Sequence, residues 1–274
     1  MNTSETTSAT SGQTAGRIDV SVEPPFGWLI VDNERRRNAV TLDMWRALPQ
    51  AVADLADDER VRVIVLRGAG ETTFVAGADI SEFAEVRKDA ESARAYEASN
   101  SAAFDALRAC RKPTIAMIRG FCMGGGVGLS VACDLRFASS DARFAIPAAR
   151  LGVGYPAGAV RDVVKLIGPA RAKDLFFSAR RIEAAEADTL GLIDRVSEPE
   201  ALEAETRTYA ETVAANAPLT QRAAKAAIDA VSADPADIDW PAIEALTDAC
   251  FASADFAEGR TAFLERRNPI FTGR

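Results

Sequence analysis

Two short glycine-containing segments hold the residues whose types and spacing could do chemistry. They are 74–80 (FVAGADI) and 120–128 (GFCMGGGVG), and each lies between an apolar run and a helix-like run. Backbone N–H groups at the start of a helix have no partner within it, and small residues let a ligand approach them closely. We expect the N–H groups of Ala78 and Gly125 to converge on one oxygen that gains negative charge during a reaction. Either segment alone would more often be a tight turn, so this inference depends on their joint occurrence.

Composition excludes several other kinds of chemistry and partner. The 274 residues include no histidine, so the commonest general base is missing. A formal net charge of −8 disfavours binding to nucleic acid or to an anionic membrane, because both require broad positive surfaces. The four cysteines lack CxxC spacing, which favours reduced thiols in a cytoplasmic protein and, without histidine, predicts no metal site. The negative net charge does not exclude a phosphate-bearing small ligand, for which a few clustered arginines suffice.

The elements that position the two segments follow an alternating pattern. Nearly continuous apolar strands are predicted at 61–67 and 114–118, and helices at 42–56, 89–111 and 124–132. Alternation of this kind indicates parallel βαβ units with right-handed crossovers. The sequence thus predicts a mixed α/β core around both glycine-containing segments.

The composition of the chain changes twice along its length. Residues 1–16, rich in Ser, Thr, Ala and Gly, are expected to form a disordered leader. Residues 17–197 form the predicted α/β core. Residues 198–274 are predicted to be all helical, and their apolar faces pack either against another subunit or back onto the core.

At this point the sequence resembles the crotonase superfamily, the enoyl-CoA hydratase/isomerase family, from about residue 20 to residue 271. The segments that carry the resemblance are 38–39 (NA), 76–80 (AGADI), 120–126 (GFCMGGG), 133–135 (CDL), 144–151, 217–219 (APL) and 258–271. The resemblance implies an α/β fold, a crotonase-like spiral of ββα units followed by an all-helical C-terminal trimerisation region. It also implies a homotrimer or a dimer of trimers. A coenzyme A thioester would be the substrate, with no permanently bound cofactor, and the N–H groups of Ala78 and Gly125 would form its oxyanion hole.

The resemblance also implies contacts with coenzyme A. The run Arg35, Arg36 and Arg37 would meet the phosphates, although a charge run alone is more often a solvated turn. The carbonyl of Ala76 would lie near the adenine. Three residues assigned to the last predicted helix would reach coenzyme A bound to a neighbouring subunit; they are Phe263, Arg266 and Arg267.

The two glutamates that hydratases of this family use are replaced. Alignment of the glycine-rich stretch places Gly128 at the first position, and alignment of 144–147 places Ala148 at the second. Neither residue can transfer a proton, so the sequence predicts poor hydration.

Two alternatives remain open at this stage. The stretch 147–155 resembles methylmalonyl-CoA decarboxylases, in which a tyrosine at the position of Tyr155 orients the departing carboxylate. That pattern has histidine where Ala78 stands and glutamate where Gly128 stands, and Tyr155 could equally be a buried tyrosine with a satisfied hydroxyl. The first alternative is a malonyl-type acyl-CoA decarboxylase that uses Tyr155. The second is a catalytically silent acyl-CoA-binding homologue.

Overall fold

The computed structural model describes residues 16–232 and 238–274. Its strands are β1 (Arg17–Glu23), β2 (Phe26–Asp32), β3 (Val63–Gly68), β4 (Thr73–Val75), β5 (Thr114–Ile118), β6 (Phe121–Met123), β7 (Leu135–Ser139), β8 (Arg143–Ala145), β9 (Ile182–Glu183) and β10 (Arg195–Ser197). Apart from Gly16, the predicted leader lies outside the described residues.

The other regular elements of the described chain are helices. They are α1 (Leu42–Asp57), α2 (Phe83–Val86), α3 (Ala90–Arg108), α4 (Gly125–Ala132), α5 (Ala148–Leu151), α6 (Ala157–Ser178), α7 (Ala184–Leu190), α8 (Leu202–Ala214), α9 (Pro218–Val231), α10 (Trp240–Phe251) and α11 (Ala254–Glu265). Short 3₁₀ helices lie at Glu34–Arg36 and Ile80–Glu82.

The strands form two sheets that the chain visits alternately. The larger sheet has the order β1-β2-β3-β5-β7-β10, and the smaller sheet has the order β4-β6-β8-β9. β3, β5 and β7 are parallel neighbours in the larger sheet, and the strands that follow them, β4, β6 and β8, are parallel neighbours in the smaller one. Each turn of the chain is therefore a ββα unit, and the α/β fold predicted from the sequence is confirmed.

The central strands of the larger sheet are buried on both faces, which explains why β3 and β5 are nearly continuous apolar runs. In β3, Ile64 and Leu66 belong to the core cluster that includes α1 and α3, whereas Val63 and Val65 pack on the opposite side beside α8. Side chains alternate between the faces of a strand, so both faces must be apolar. The buried central strands thus fix the positions of the segments that follow them.

Two side chains begin the helices that flank the glycine-containing segments. Thr41 Oγ1 accepts a hydrogen bond from Met44 N at 3.3 Å and begins α1. Asp79 Oδ1 accepts from Ser81 N at 3.0 Å and begins the 3₁₀ helix that follows the first segment. These N-caps satisfy N–H groups that a helix leaves without partners, and they fix where the loops stop.

Candidate active site

The second segment forms a strained turn between β6 and α4. Gly124 has φ 50° and ψ −113°, a backbone conformation that side chains disfavour. Its N–H donates to Ala145 O at 2.8 Å, and its carbonyl accepts from the Tyr155 hydroxyl at 2.9 Å. Gly125 is the first residue of α4, and no acceptor for its N–H lies among the described residues. The turn therefore presents a free donor at the positive end of a helix dipole.

The first segment presents a second free donor. Gly77 has φ 102°, and the segment pairs with Val40: Val40 N donates to Gly77 O at 2.8 Å, and Asp79 N donates to Val40 O at 2.9 Å. Successive residues of an extended chain direct their N–H groups to opposite sides, so the Ala78 N–H points away from Val40. Within the described residues it has no acceptor.

The two donors border one cavity. A methyl group placed on Gly125 would lie 3.8 Å from Ala78 N, and one placed on Gly77 would lie 3.7 Å from Gly125 N. We call the adjacent space, of about 100 Å³, the turn cavity. Its wall includes Trp45, Ala78, Phe83, Phe104, Gly125 and Leu151. The structure thus brings the two sequence-predicted oxyanion residues to the same small space.

The wall of the turn cavity is aromatic where a side chain at position 128 would enter. A methyl group placed on Gly128 would lie 2.5 Å from Cζ of Phe104. The Phe104 ring packs edge-on against Trp45, with ring centroids 5.6 Å apart, and Trp45 Nε1 donates to the Tyr96 hydroxyl at 3.0 Å. Ala148 also lines the cavity. Neither Gly128 nor Ala148 contributes a polar group there.

Tyr155 lines the turn cavity, but its hydroxyl proton is engaged. The hydroxyl donates to the carbonyl of Gly124, and the ring packs edge-on against Phe176, with centroids 5.2 Å apart. Desolvation raises the pKa of Tyr155 well above its usual value. The neutral tyrosine therefore holds the Gly124 turn that directs the Gly125 N–H.

A polar cluster from α3 and the loop before it also lines the cavity, and the sequence analysis missed it. Arg87 Nη2 lies 2.7 Å from Glu97 Oε1, and the Arg87 guanidinium lies over the rings of both Phe83 and Tyr96, 4.3 and 4.4 Å from their centroids. Asn100 Nδ2 lies 3.4 Å from Glu97 Oε2. The i, i+3 spacing of Glu97 and Asn100 was the available signal, because it places them on one helix face.

Burial shapes the electrostatics of this cluster. The Arg87 and Glu97 side chains are 12% and 30% exposed, and Asn100 is 6% exposed. Desolvation raises the pKa of Glu97, opposed by the charge of Arg87 and the hydrogen bond from Asn100. Of the described residues that line the cavity, Glu97 alone carries a carboxylate.

The three arginines predicted to meet coenzyme A phosphates are exposed and adjoin the first segment. Arg37 O accepts a hydrogen bond from Ala76 N at 3.1 Å, which joins the arginine run to the cavity wall. Arg36 Nη1 donates to Ser81 Oγ at 2.9 Å. Arg35, Arg36 and Arg37 are outside the cavity itself, on the surface beside it.

The three predicted C-terminal contacts lie away from the cavity of their own chain. Phe263, in α11, is 83% exposed. The prediction that all three lie on the last helix is wrong for two of them, because Arg266 adopts φ 54° and ends α11 before Arg267. Arg267 Nη1 pairs with Glu258 Oε1 at 2.6 Å.

A larger cleft, of about 620 Å³, lies at the amino ends of β3 and β5 in the larger sheet. Cationic side chains of this cleft donate hydrogen bonds to carbonyls at the carboxyl end of α1. Lys112 Nζ donates to Leu55 O and Asp58 O, at 3.0 and 2.6 Å, and Arg111 Nη2 donates to Ala56 O at 2.6 Å. Cations at the carboxyl end of a helix satisfy its last carbonyls and its dipole, so this cleft has a structural explanation.

Residues 16–232 and 238–274 show neither a cluster of metal-ligating side chains nor a helix able to span a membrane. This part of the chain contains no cluster of three or more Cys, Asp or Glu side chains arranged to hold a metal ion. None of its helices is long and apolar enough to cross a membrane.

Comparison with known proteins gives matches over most of the chain. The sequence model of the family described as "Enoyl-CoA hydratase/isomerase" matches residues 29–274. The chain is 36% identical to a crotonyl-CoA hydratase of Syntrophomonas wolfei over 94% of this chain and 98% of that protein. It is 34% identical to a short-chain-enoyl-CoA hydratase of Clostridium acetobutylicum, over 86% and 90%. Its fold matches that of an enoyl-CoA hydratase/isomerase family protein from Hyphomonas neptunium, with TM-score 0.90, 37% identity and coverage of 94% and 98%.

Proposed function

Because the chain belongs to the enoyl-CoA hydratase/isomerase family, we propose that it stabilises a thioester enolate between two backbone N–H groups, those of Ala78 and Gly125. The observation that carries this proposal is that both donors lack an acceptor among the described residues and border the same cavity. The acyl-CoA carbonyl oxygen would lie between them. Its negative charge would develop at the amino end of α4, in an aromatic surrounding that strengthens electrostatic interactions.

The substrate would carry coenzyme A as part of its thioester. Arg35, Arg36 and Arg37 would meet the phosphates, since they are exposed and joined to the cavity wall through the bond between Arg37 and Ala76. The Ala76 carbonyl would face the adenine. Phe263, Arg266 and Arg267 would act on a neighbouring subunit's substrate, so we also propose a homotrimer or a dimer of trimers.

The size of the cavity favours a short acyl group. The turn cavity offers about 100 Å³, less than an engineered apolar cavity of about 150 Å³ that binds benzene. Two of the similar proteins are named for crotonyl-CoA and for short-chain enoyl-CoA. The hydroxyl proton of Tyr155 is engaged by the Gly124 carbonyl, which supports a role in positioning the turn rather than in orienting a departing carboxylate.

The test measures the binding of an unreactive acyl-CoA and the effect on turnover of one methyl group added at position 125. We expect calorimetry to detect the binding of butyryl-CoA to the protein, and we expect turnover of an unsaturated or malonyl-type thioester. In the Gly125→Ala variant the new methyl lies 2.9 Å from Trp45 Cζ2 and beside Ala78 N. The variant keeps the backbone N–H at position 125, but its methyl cannot fit against Trp45 unless that N–H moves. Loss of one oxyanion donor costs about 100-fold or more in kcat, so displacement of this donor should lower turnover by up to that factor.

Gly158→Ala is the control, because its methyl lies outside the cavity and 3.5 Å from Arg108 Nη2, an ordinary contact. It should leave turnover unchanged. Binding without turnover of crotonyl-CoA or malonyl-CoA would favour a silent homologue, and failure to bind butyryl-CoA would refute the proposed function. Turnover of malonyl-CoA alone would favour the decarboxylase.

A further inference from the structure

A carboxylate from α3, a helix outside both glycine-containing segments, also lines the turn cavity. Glu97 lies on α3 and reaches the cavity wall between Arg87 and Asn100. Desolvation is the main cause of the raised pKa of Tyr155, which lines the same cavity and follows α5, and the charge of Glu97 adds to it. Glu97 is thus electrostatically coupled to the residue that holds the Gly124 turn.

The amide of Asn100 has an acceptor that nothing in the described protein satisfies. Its Nδ2 faces Glu97, but its Oδ1 is buried without a donor. An unsatisfied buried acceptor is costly, and native structures usually pair such an atom with water or a ligand. A water molecule has two hydrogens to donate. It could give one to the Glu97 carboxylate and one to Asn100 Oδ1.

We propose that Glu97 and Asn100 hold and activate the water that is added to an enoyl-CoA double bond, in place of the side chains missing at Gly128 and Ala148. This inference rests on the proposed function, since it needs the thioester carbonyl between Ala78 and Gly125. It assigns a hydratase activity to the chain, with Glu97 as the catalytic residue that transfers protons.

The steps balance in atoms and electrons. Glu97 takes a proton from water as the water oxygen forms a bond to the β-carbon, and the π electrons of the double bond move onto the thioester oxygen as an enolate. The enolate then collapses to the thioester, and its α-carbon takes the proton from Glu97. The product is a 3-hydroxyacyl-CoA, and Glu97 is again ionised.

The charges around Glu97 suit a group that must accept and return a proton. Arg87 faces it from the loop before α3, Asn100 and Tyr96 from α3 itself, and Tyr155 from beyond α5. Burial raises the pKa of Glu97, and Arg87 and Asn100 oppose that shift. A carboxylate with a raised pKa is a stronger base at neutral pH and a competent acid afterwards.

The test is hydration of crotonyl-CoA by the wild type and by the Glu97→Gln variant. We expect kcat to fall by about 100-fold or more, the usual contribution of acid–base catalysis, while the Kd for butyryl-CoA stays nearly unchanged. The wild-type kcat/KM should decline as pH falls and Glu97 is protonated, and this acid limb should be absent from the residual activity of Glu97→Gln. Glu91→Gln is the matched control, because Glu91 is an exposed glutamate in the first turn of the same helix.

A second variant keeps the Arg87–Glu97 pair. Asn100→Leu removes the water acceptor and should lower kcat about tenfold. Its acid limb should remain but move to higher pH, because Glu97 loses a hydrogen bond that stabilises its ionised form.

The outcomes separate this inference from the proposed function. If butyryl-CoA binds but the wild type does not hydrate crotonyl-CoA, or if Glu97→Gln hydrates it as fast as the wild type does, the inference is overturned and the oxyanion proposal stands. If butyryl-CoA does not bind, both are overturned.

Discussion

At residue scale, the Phe104 ring fills the space that a side chain at position 128 would need. The glycine is visible in the sequence, but its reason is not, because the ring that fills the space comes from α3, more than twenty residues earlier. The turn glycines were easier to predict, since a left-handed φ at Gly77 and Gly124 is a local requirement. Glu97 was missed for the same reason as Phe104: the face that a helix directs to a cavity depends on tertiary packing.

Gly128→Ala should therefore destabilise the protein. Its methyl would lie 2.5 Å from Phe104 Cζ in a packed wall, and overpacking costs about 1–3 kcal/mol of unfolding free energy. In the double variant with Phe104→Leu, the two costs should be less than additive, since the shortened side chain leaves room for the methyl. Chemical denaturation of the single and double variants measures this coupling, and strict additivity would show that the two residues do not compete for space.

At element scale, one hydrogen bond joins the two helices that flank the turn cavity. Trp45 on α1 donates to the hydroxyl of Tyr96 on α3, and both side chains are almost completely buried. Burial raises the pKa of Tyr96 to about 12. The sequence predicted both helices within a few residues of their bounds. It could not predict this bond, because that depends on how the helices are rotated against each other.

Tyr96→Phe should destabilise the protein most at neutral pH. It leaves the buried Trp45 N–H without an acceptor, at a cost of about 1–3 kcal/mol. In the wild type, the raised pKa gives a stability contribution that is complete below the unfolded pKa of about 10 and is lost as pH rises towards 12. The difference in unfolding free energy between wild type and variant should therefore shrink between these pH values. A difference that is constant from pH 7 to pH 11 would contradict this account, and denaturation at stepped pH measures it.

At the scale of the whole molecule, the C-terminal helices divide into two groups. α8 packs onto the larger sheet through Leu202 and Ala210, whereas α10 buries none of its residues in this chain. Large exposed apolar side chains are concentrated from α9 to the C-terminus; they are Ile228, Val231, Trp240, Phe251, Phe256, Phe263, Leu264 and Ile270. The helical character of this region could be predicted from sequence. Which of its faces stays uncovered could not, because an apolar stripe does not show what it packs against.

Such a surface is typical of a subunit interface, so the proposed homotrimer makes a direct prediction. Light scattering after gel filtration should give at least three times the chain mass of 29.2 kDa. Phe251 is 63% exposed on α10 and packs edge-on against Phe256. Phe251→Asp would bury a charge in the interface, so the mass should fall towards that of one chain.

Phe177→Asp is the matched control for that variant. Phe177 is also an aromatic residue, 76% exposed, but it lies on α6 outside the C-terminal region. Its replacement should leave the trimer mass unchanged. Because the proposed contacts from Phe263 and Arg267 come from a neighbouring subunit, Phe251→Asp should also weaken butyryl-CoA binding, whereas Phe177→Asp should not. A wild type that elutes at the mass of one chain, yet binds butyryl-CoA, would show that each chain completes its own site.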